Sequence, residues 1–117
     1  GGEFVVTRGL DGCLFVYPMD SWETYVGQLR KLPLTDKNAR LFTRFIIAGA
    51  TTCELDKQGR ILLPVTLREF AHIEKDVLLA GMLDHIEIWN EELWKENADF
   101  GDMDVIAEHL NGLSGRE

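Results

Sequence analysis

The residues of this 117-residue chain best suited to chemistry sit in one short run, Asp56-Lys57-Gln58-Gly59-Arg60. Aspartate is favoured at the first position of a tight turn because its carboxylate can accept from the backbone N–H groups that follow. Gly59 suits the left-handed backbone that lets a second strand leave in register. Arg60 then stands at the base of that strand with a planar fork of five donors. The fork can pair with Asp56 of the same chain, with a phosphate, or bidentately with guanine O6 and N7 in a major groove. Taken alone, the motif favours the intrachain ion pair.

Other chemistry is thinly represented. His72, His85 and His109 are scattered, match no Ser or Cys signature and form no H-x-x-x-H pair, so they read as surface or capping residues. Cys13 and Cys53 each lie among strand-like apolar residues. Two thiols are too few for a disulfide framework or a zinc cluster, and both read as buried and reduced. Gly9 and Gly12 bracket a turn and are not followed by the Lys-Ser or Lys-Thr of a phosphate loop. The reading is non-enzymatic, with no catalytic residue, no metal and no cofactor.

The chain carries 12 Lys and Arg against 20 Asp and Glu, a formal charge of −8. At first sight this argues against nucleic acid, because phosphate binding is chiefly a Lys and Arg effect. The sign is unevenly distributed, however. Nine acids between Asp84 and Glu108 face Lys95 alone, whereas eight cations between Leu29 and Arg68 face Asp36, Glu54 and Asp56. A local basic surface on an acidic protein is therefore open, beside the plainer reading of solvated helix faces. At 45% apolar and 27% charged, one or two small domains with a genuine core are expected. The longest apolar runs, Phe45 to Ala48 and Val77 to Met82, fall far short of the roughly 18 residues of a membrane span. No apolar leader opens the chain. A soluble cytoplasmic protein with no membrane partner is expected.

The elements that must position the turn can be read along the chain. Glu3 to Thr7 and Cys13 to Tyr17 predict paired strands, with Gly9 and Gly12 expected at φ > 0 between them. Asp20 and Glu23 resemble a capping box for a helix bearing Trp22, Val26 and Leu29 and ended by Pro33. Thr35 or Asp36 caps a second helix, whose stripe Leu41, Phe42, Phe45 and Ile46 stops at Gly49. Strands are predicted on either side of the turn, at Thr52 to Leu55 and Arg60 to Pro64. Thr66 and Glu69 then offer a T-x-x-E capping box, with Val65 and Phe70 as a hydrophobic staple. Val77 to Ala80 and Ile86 to Trp89 predict two more strands, and Asn90 with Glu91 and Glu92 opens a helix containing Leu93 and Trp94. Val105, Ile106, His109 and Leu110 are compatible with one more amphipathic helix.

An offset of 72 positions pairs Val5 with Val77, Gly9 with Gly81, Leu14 with Ile86, Val16 with Ile88, Tyr17 with Trp89 and Trp22 with Trp94. A glycine, an aromatic and a tryptophan in one register indicate a duplicated unit. The same offset puts the first counterpart of Asp56 to Arg60 ahead of residue 1, so the chain is expected to begin inside its first repeat. A trimmed polypeptide lacking one strand-turn-strand unit and its helix is the hypothesis that follows. A start codon immediately before Gly1 in the gene would defeat it.

A D-x-x-G-R turn followed by an apolar strand, a proline and L-R-E, then paired strands and I-E-I-W, resembles the MraZ family of bacterial transcription regulators, in the SpoVT/AbrB-like superfamily. Asp56-Lys57-Gln58-Gly59-Arg60, Leu67-Arg68-Glu69 and Ile86-Glu87-Ile88-Trp89 carry the likeness in the second repeat. Thr7-Arg8-Gly9-Leu10-Asp11 and Leu14-Phe15-Val16-Tyr17-Pro18 carry it in the first. The stretch from Arg40-Leu41-Phe42 to Gly49-Ala50 matches the connection between them, so the resemblance spans almost the whole chain.

The resemblance implies an α+β fold of two tandem SpoVT/AbrB-like repeats, their strands intertwined into one β core with flanking helices and the first repeat incomplete. Residues 1–48 would be the remainder of the first repeat with the connecting helices, 49–95 the second repeat, and 96–117 an acidic helical tail. It also implies a homo-oligomeric ring that binds double-stranded DNA at short G-rich direct repeats in promoters of the division and cell-wall gene cluster. Chiefly repression, and association with the nucleoid, would follow. By the same resemblance the D-x-x-x-R turn faces DNA, which assigns Asp56 and Arg60, with Lys57 as a phosphate contact. The absent first copy of that turn implies weaker binding by this chain than by a longer parent. In a ring, basic tips on one rim act together by avidity while the acidic tail points elsewhere. The alternative class is an oligomeric protein-interaction module that sequesters a partner without touching DNA, its acidic tail against a basic partner.

Overall fold

The computed structural model of the chain describes residues 2–113. Unbroken β-prone runs, Phe4-Val5-Val6 and Leu14-Phe15-Val16-Tyr17, produce β1 (Glu3–Arg8) and β2 (Leu14–Pro18), an antiparallel hairpin with Phe4 opposite Pro18 and Arg8 opposite Leu14. The left-handed positions of its turn are Asp11 (φ 64°) and Gly12 (φ 87°), not the expected Gly9 and Gly12. Gly9 is small for another reason: a Cβ there would lie 2.7 Å from the Phe15 ring.

Two helices, α1 (Met19–Arg30) and α2 (Lys37–Ala48), lead to β3 (Thr51–Glu54). Then come α3 (Val65–Phe70), β4 (Leu78–Gly81), β5 (Ile86–Trp89), α4 (Glu91–Asn97) and α5 (Met103–Leu113). Residues 114–117 of the expected tail lie outside the described residues. The fold is α+β, with the strands in one antiparallel sheet of order β3-β1-β2-β5-β4. The two halves of the chain intertwine in that order. From the second half, β3 crosses to the outer edge of β1, with Phe4 opposite Cys53, while β2 pairs with β5 at the centre.

Strand periodicity sends alternate residues to two faces, and each face has its own cluster. On one face Val6, Leu14, Cys53 and Ile88 pack with Leu67 and Ala71 of and beside α3. On the other, Cys13, Phe15, Tyr17 and Trp89 pack under Trp22 and Tyr25 of α1 and Leu93 and Trp94 of α4. Thr7, fully buried on β1, donates its hydroxyl to the Ile46 carbonyl of α2.

The central seam carries a local pseudo-twofold. Phe15 lies opposite Glu87, its own counterpart at the offset of 72, and Leu14 opposite Ile88 is exchanged by the same operation with Val16 opposite Ile86. The outer strands obey a different offset. Val5 faces Tyr17, but Leu78 rather than Val77 faces Trp89, because residues 82–85 make a connection one residue shorter than 9–13. The structural counterpart of Val5 is therefore Leu78, and the coincidence of Gly9 with Gly81 is not a structural equivalence.

Three local expectations need correction. Arg60 to Pro64 is not a strand, since no neighbouring strand among the described residues offers it a ladder, although Ile61 and Leu63 still turn toward the core. Neither capping box at α1 or α3 forms. Both helices follow a proline, Pro18 at φ −57° and Pro64 at φ −58°, with no side-chain cap, and Asp20 instead accepts from the N–H of Ser21. The staple fails with the box: Val65 stays 57% exposed. By contrast Asp36 caps α2 through the Ala39 N–H, and Asn90 caps α4 through the N–H groups of Glu92 and Leu93.

Candidate functional site

The run from Asp56 to Arg60 forms the tip of a loop between β3 and α3, with every residue from 54 to 60 exposed. The Asp56 N–H donates to the Arg60 carbonyl at 2.7 Å and the Gly59 N–H to the Asp56 carbonyl at 3.0 Å, closing the turn. Gly59 sits at φ 78°, where a side chain would be strained. The Asp56 carboxylate organises the rest. Its Oδ1 accepts from the N–H groups of Gln58 and Arg60, each at 2.8 Å, and its Oδ2 accepts from Arg60 Nε at 3.0 Å. These donors, the Arg60 N–H foremost, hold the carboxyl below the usual aspartate range.

The intrachain ion pair favoured by the motif alone is therefore present, yet it does not consume the guanidinium. The Arg60 side chain remains 72% exposed. A pair this open to solvent contributes little to stability. Its effect is orientational: Asp56 engages Nε alone, leaving the terminal nitrogens of an exposed fork with no partner among the described residues. Lys57 is exposed beside it on the same tip. The arrangement is a rigid turn presenting two cations, one of them held in a plane, which suits an anionic or bidentate acceptor.

Spacing alone does not make such a tip. Asp36 and Arg40 share the same separation, but there the aspartate caps α2 and Arg40 Nη1 donates to the Leu34 carbonyl at 2.8 Å. Arg68 is likewise committed internally, its Nε donating to the Leu63 carbonyl at 3.1 Å. Of the other cations in the basic stretch, Lys57 and Arg60 share the tip, Arg30, Arg40 and Arg44 surround a groove between α1 and α2, and Lys31 and Lys37 are exposed outside both groups. The second group was not singled out from sequence; the four-residue step from Arg40 to Arg44 on one helix was the available signal.

Elsewhere Cys13 and Cys53 are buried and free. Burial, with Glu87 and Asp11 adding to it, pushes the Cys13 thiol up to about 12. His85 departs from the expected surface role: its side chain is 16% exposed, stacks on Tyr17 at 5.0 Å and places Nδ1 2.8 Å from Asp84 Oδ1. No group of three or more His, Cys, Asp or Glu residues is placed to hold a metal ion among the described residues. No helix among them is long and apolar enough to cross a membrane.

Comparison with known proteins places these features in a family. A family model described as "MraZ protein, putative antitoxin-like" matches residues 1–45 and again 46–106. The transcriptional regulator MraZ of Thermoanaerobacter sp. (strain X514) is 53% identical over 116 residues, covering 97% of this chain and 81% of that protein. That of Clostridium beijerinckii is 52% identical over 114 residues, covering 97% and 80%. That of Lactiplantibacillus plantarum is 49% identical over 112 residues, covering 94% and 79%. With both repeats matched and such identity over nearly its full length, the chain belongs to the MraZ family.

Proposed function

We propose that this protein is a DNA-binding transcriptional regulator that touches its operator through the Asp56–Arg60 turn. The observation that carries the reading is the 72% exposed Arg60 side chain, held by Asp56 through Nε with its terminal nitrogens unengaged among the described residues. Arg60 reads guanine O6 and N7 in the major groove, Lys57 contacts a neighbouring phosphate, and Asp56 positions both by fixing the turn. The relatives' printed name, transcriptional regulator, supports the class of function.

A single two-cation tip on a chain of formal charge −8 binds DNA weakly. Copies assembled in a ring overcome this by avidity when each tip meets one of several G-rich direct repeats. The operator is a promoter of the division and cell-wall gene cluster, the main effect repression, and the protein is cytoplasmic and nucleoid-associated. Residues 1–48 supply the remainder of the first repeat with the connecting helices, 49–95 the second repeat, and 96–117 an acidic tail. The reading is non-enzymatic and needs no cofactor.

A mobility-shift assay on a duplex with G-rich direct repeats and on its scrambled counterpart, at two salt concentrations, tests this. Binding that prefers the repeats and weakens with salt is expected. Equal affinity for both duplexes would leave only sequence-independent phosphate binding and remove the reading of bases, whereas affinity for neither would transfer the function to protein partners.

A further inference from the structure

The acidic C-terminal helix stays open to solvent along its described length. Every residue of α5 from 103 to 112 is exposed, including Met103, Ile106 and Leu110, which share one face at helical spacing. Asp104 and Glu108 flank that face, and Asp99 and Asp102 precede it. An amphipathic helix with a bare apolar stripe and an acidic margin is half of an interface.

The same chain carries the other half. Between α1 and α2 lies a groove of about 700 Å³ walled by Val26, Leu29, Leu34 and Ile47. Arg30, Arg40 and Arg44 rim it, and no acid lines it. Leu34 is 83% and Ile47 42% exposed. Another bare apolar surface, around Leu79 and Ile86, is bordered by Glu3, Asp20, Glu74 and Asp84 against Arg68 and Lys75, so acids outnumber cations there and it suits an acidic helix less than the all-cationic rim does. Charge therefore selects the first groove.

We propose that α5 of one copy seats in the α1–α2 groove of the next, with Ile106 and Leu110 inserted among Leu29, Leu34 and Ile47 and with Asp104 and Glu108 against Arg30 and Arg44. The occupant is a second copy of this chain. Because donor helix and acceptor groove are different surfaces, the contact is heterologous and propagates head to tail, closing into a ring if the rotation permits. The inference deepens the proposed ring and rests on that part of the reading; it does not depend on DNA contact.

The test is a mixing experiment followed by light scattering after size exclusion. One variant, Ile106→Gln with Leu110→Gln, removes the apolar stripe and keeps good helix formers on a fully exposed helix. The other, Arg30→Glu with Arg44→Glu, reverses the rim of the groove. Circular dichroism checks that both stay folded. Wild-type chain is expected to assemble and each variant alone to run at single-chain mass. An equimolar mixture is expected to form a one-to-one pair, since one partner retains the groove and the other the helix. If both variants assemble like wild type, the ring uses another face and this inference fails while the ring stands. If the mixture stays at single-chain mass, α5 does not bridge copies. If wild type itself runs at single-chain mass, both inference and ring fail.

Discussion

Leu14 on β2 and Ile86 on β5 are counterparts across the central pseudo-twofold, yet Leu14 is fully buried and Ile86 is 40% exposed. The difference comes from what covers each half of one sheet face. Leu67, Ala71 and Ile73 close over Leu14 and Val6, whereas no described residue takes the corresponding place over Ile86 and Leu79, which is 63% exposed.

Equivalent positions should therefore respond oppositely to substitution. Leu14→Ala is expected to cost about 2 to 5 kcal/mol in a urea titration, the usual range for truncating a sealed core side chain. Ile86→Thr, which keeps a β-branched residue in the strand, is expected to stay within about 1 kcal/mol. Equal losses would show that Ile86 is covered.

Gly59 stands at φ 78° with open space where a Cβ would go, so only backbone strain opposes a side chain there. Gly59→Ala is expected to weaken the turn by about 1 to 2 kcal/mol, the difference for a left-handed residue. Native-state hydrogen exchange at the Asp56 and Gly59 amides reads it. An unchanged rate would mean that the turn tolerates a Cβ.

Asp56 does two things that chemistry can separate. Asp56→Asn keeps an oxygen to accept from Gln58 and Arg60 and loses the charged partner of Arg60 Nε, whereas Asp56→Ala loses all three bonds. Amide exchange in the turn should rise for Asp56→Ala and hardly change for Asp56→Asn, while Nε–H NMR signals should shift in both. Because the Asp56 carboxyl is held below its ordinary 3.8, its contribution is present above that value and fades as pH falls through the lowered one.

How much of this was legible in the residues varied with the kind of constraint. Ile86 to Trp89 is legible to the residue, Asn90 as a cap and Asp36 as one of two candidate caps with Thr35, because β-branched alternation and a short polar side chain before an apolar run are local signals. The turn at Asp56 and the left-handed Gly59 were legible for the same reason. The strand expected at Arg60 to Pro64 failed because a strand is defined by its neighbour, and sequence does not say whether one is there. The one-residue slip between the two hairpins was hidden because an ungapped offset matches apolar residues in either register. Exposure at Arg60, on which the site depends, is a property of the fold and could be posed from the motif only as one of three alternatives.

Cys13 provides a pH prediction at the opposite extreme. Its thiol is raised from 9.0 to about 12, and burial also raises Tyr17, Tyr25 and Cys53. A raised value means that the folded state retains protons the unfolded chain loses. The stability these groups confer is complete below about pH 9 and declines as pH climbs toward 12. Urea midpoints across that interval should fall steadily, and both thiols should resist a thiol reagent at pH 8 until the chain unfolds. Rapid labelling of the folded chain would contradict the buried placement.

The central claim is that Arg60 reads a base rather than merely closing its own turn. Fluorescence anisotropy on a labelled G-rich direct-repeat duplex and its scrambled counterpart, with wild type, Arg60→Ala and Arg60→Lys, separates these roles. Arg60→Ala is expected to lose about 1 to 3 kcal/mol per occupied site and most of the preference for the repeats. Arg60→Lys should keep part of the affinity but not the preference, since an ammonium cannot span O6 and N7 together. Wild-type affinity and preference in Arg60→Ala would contradict the account.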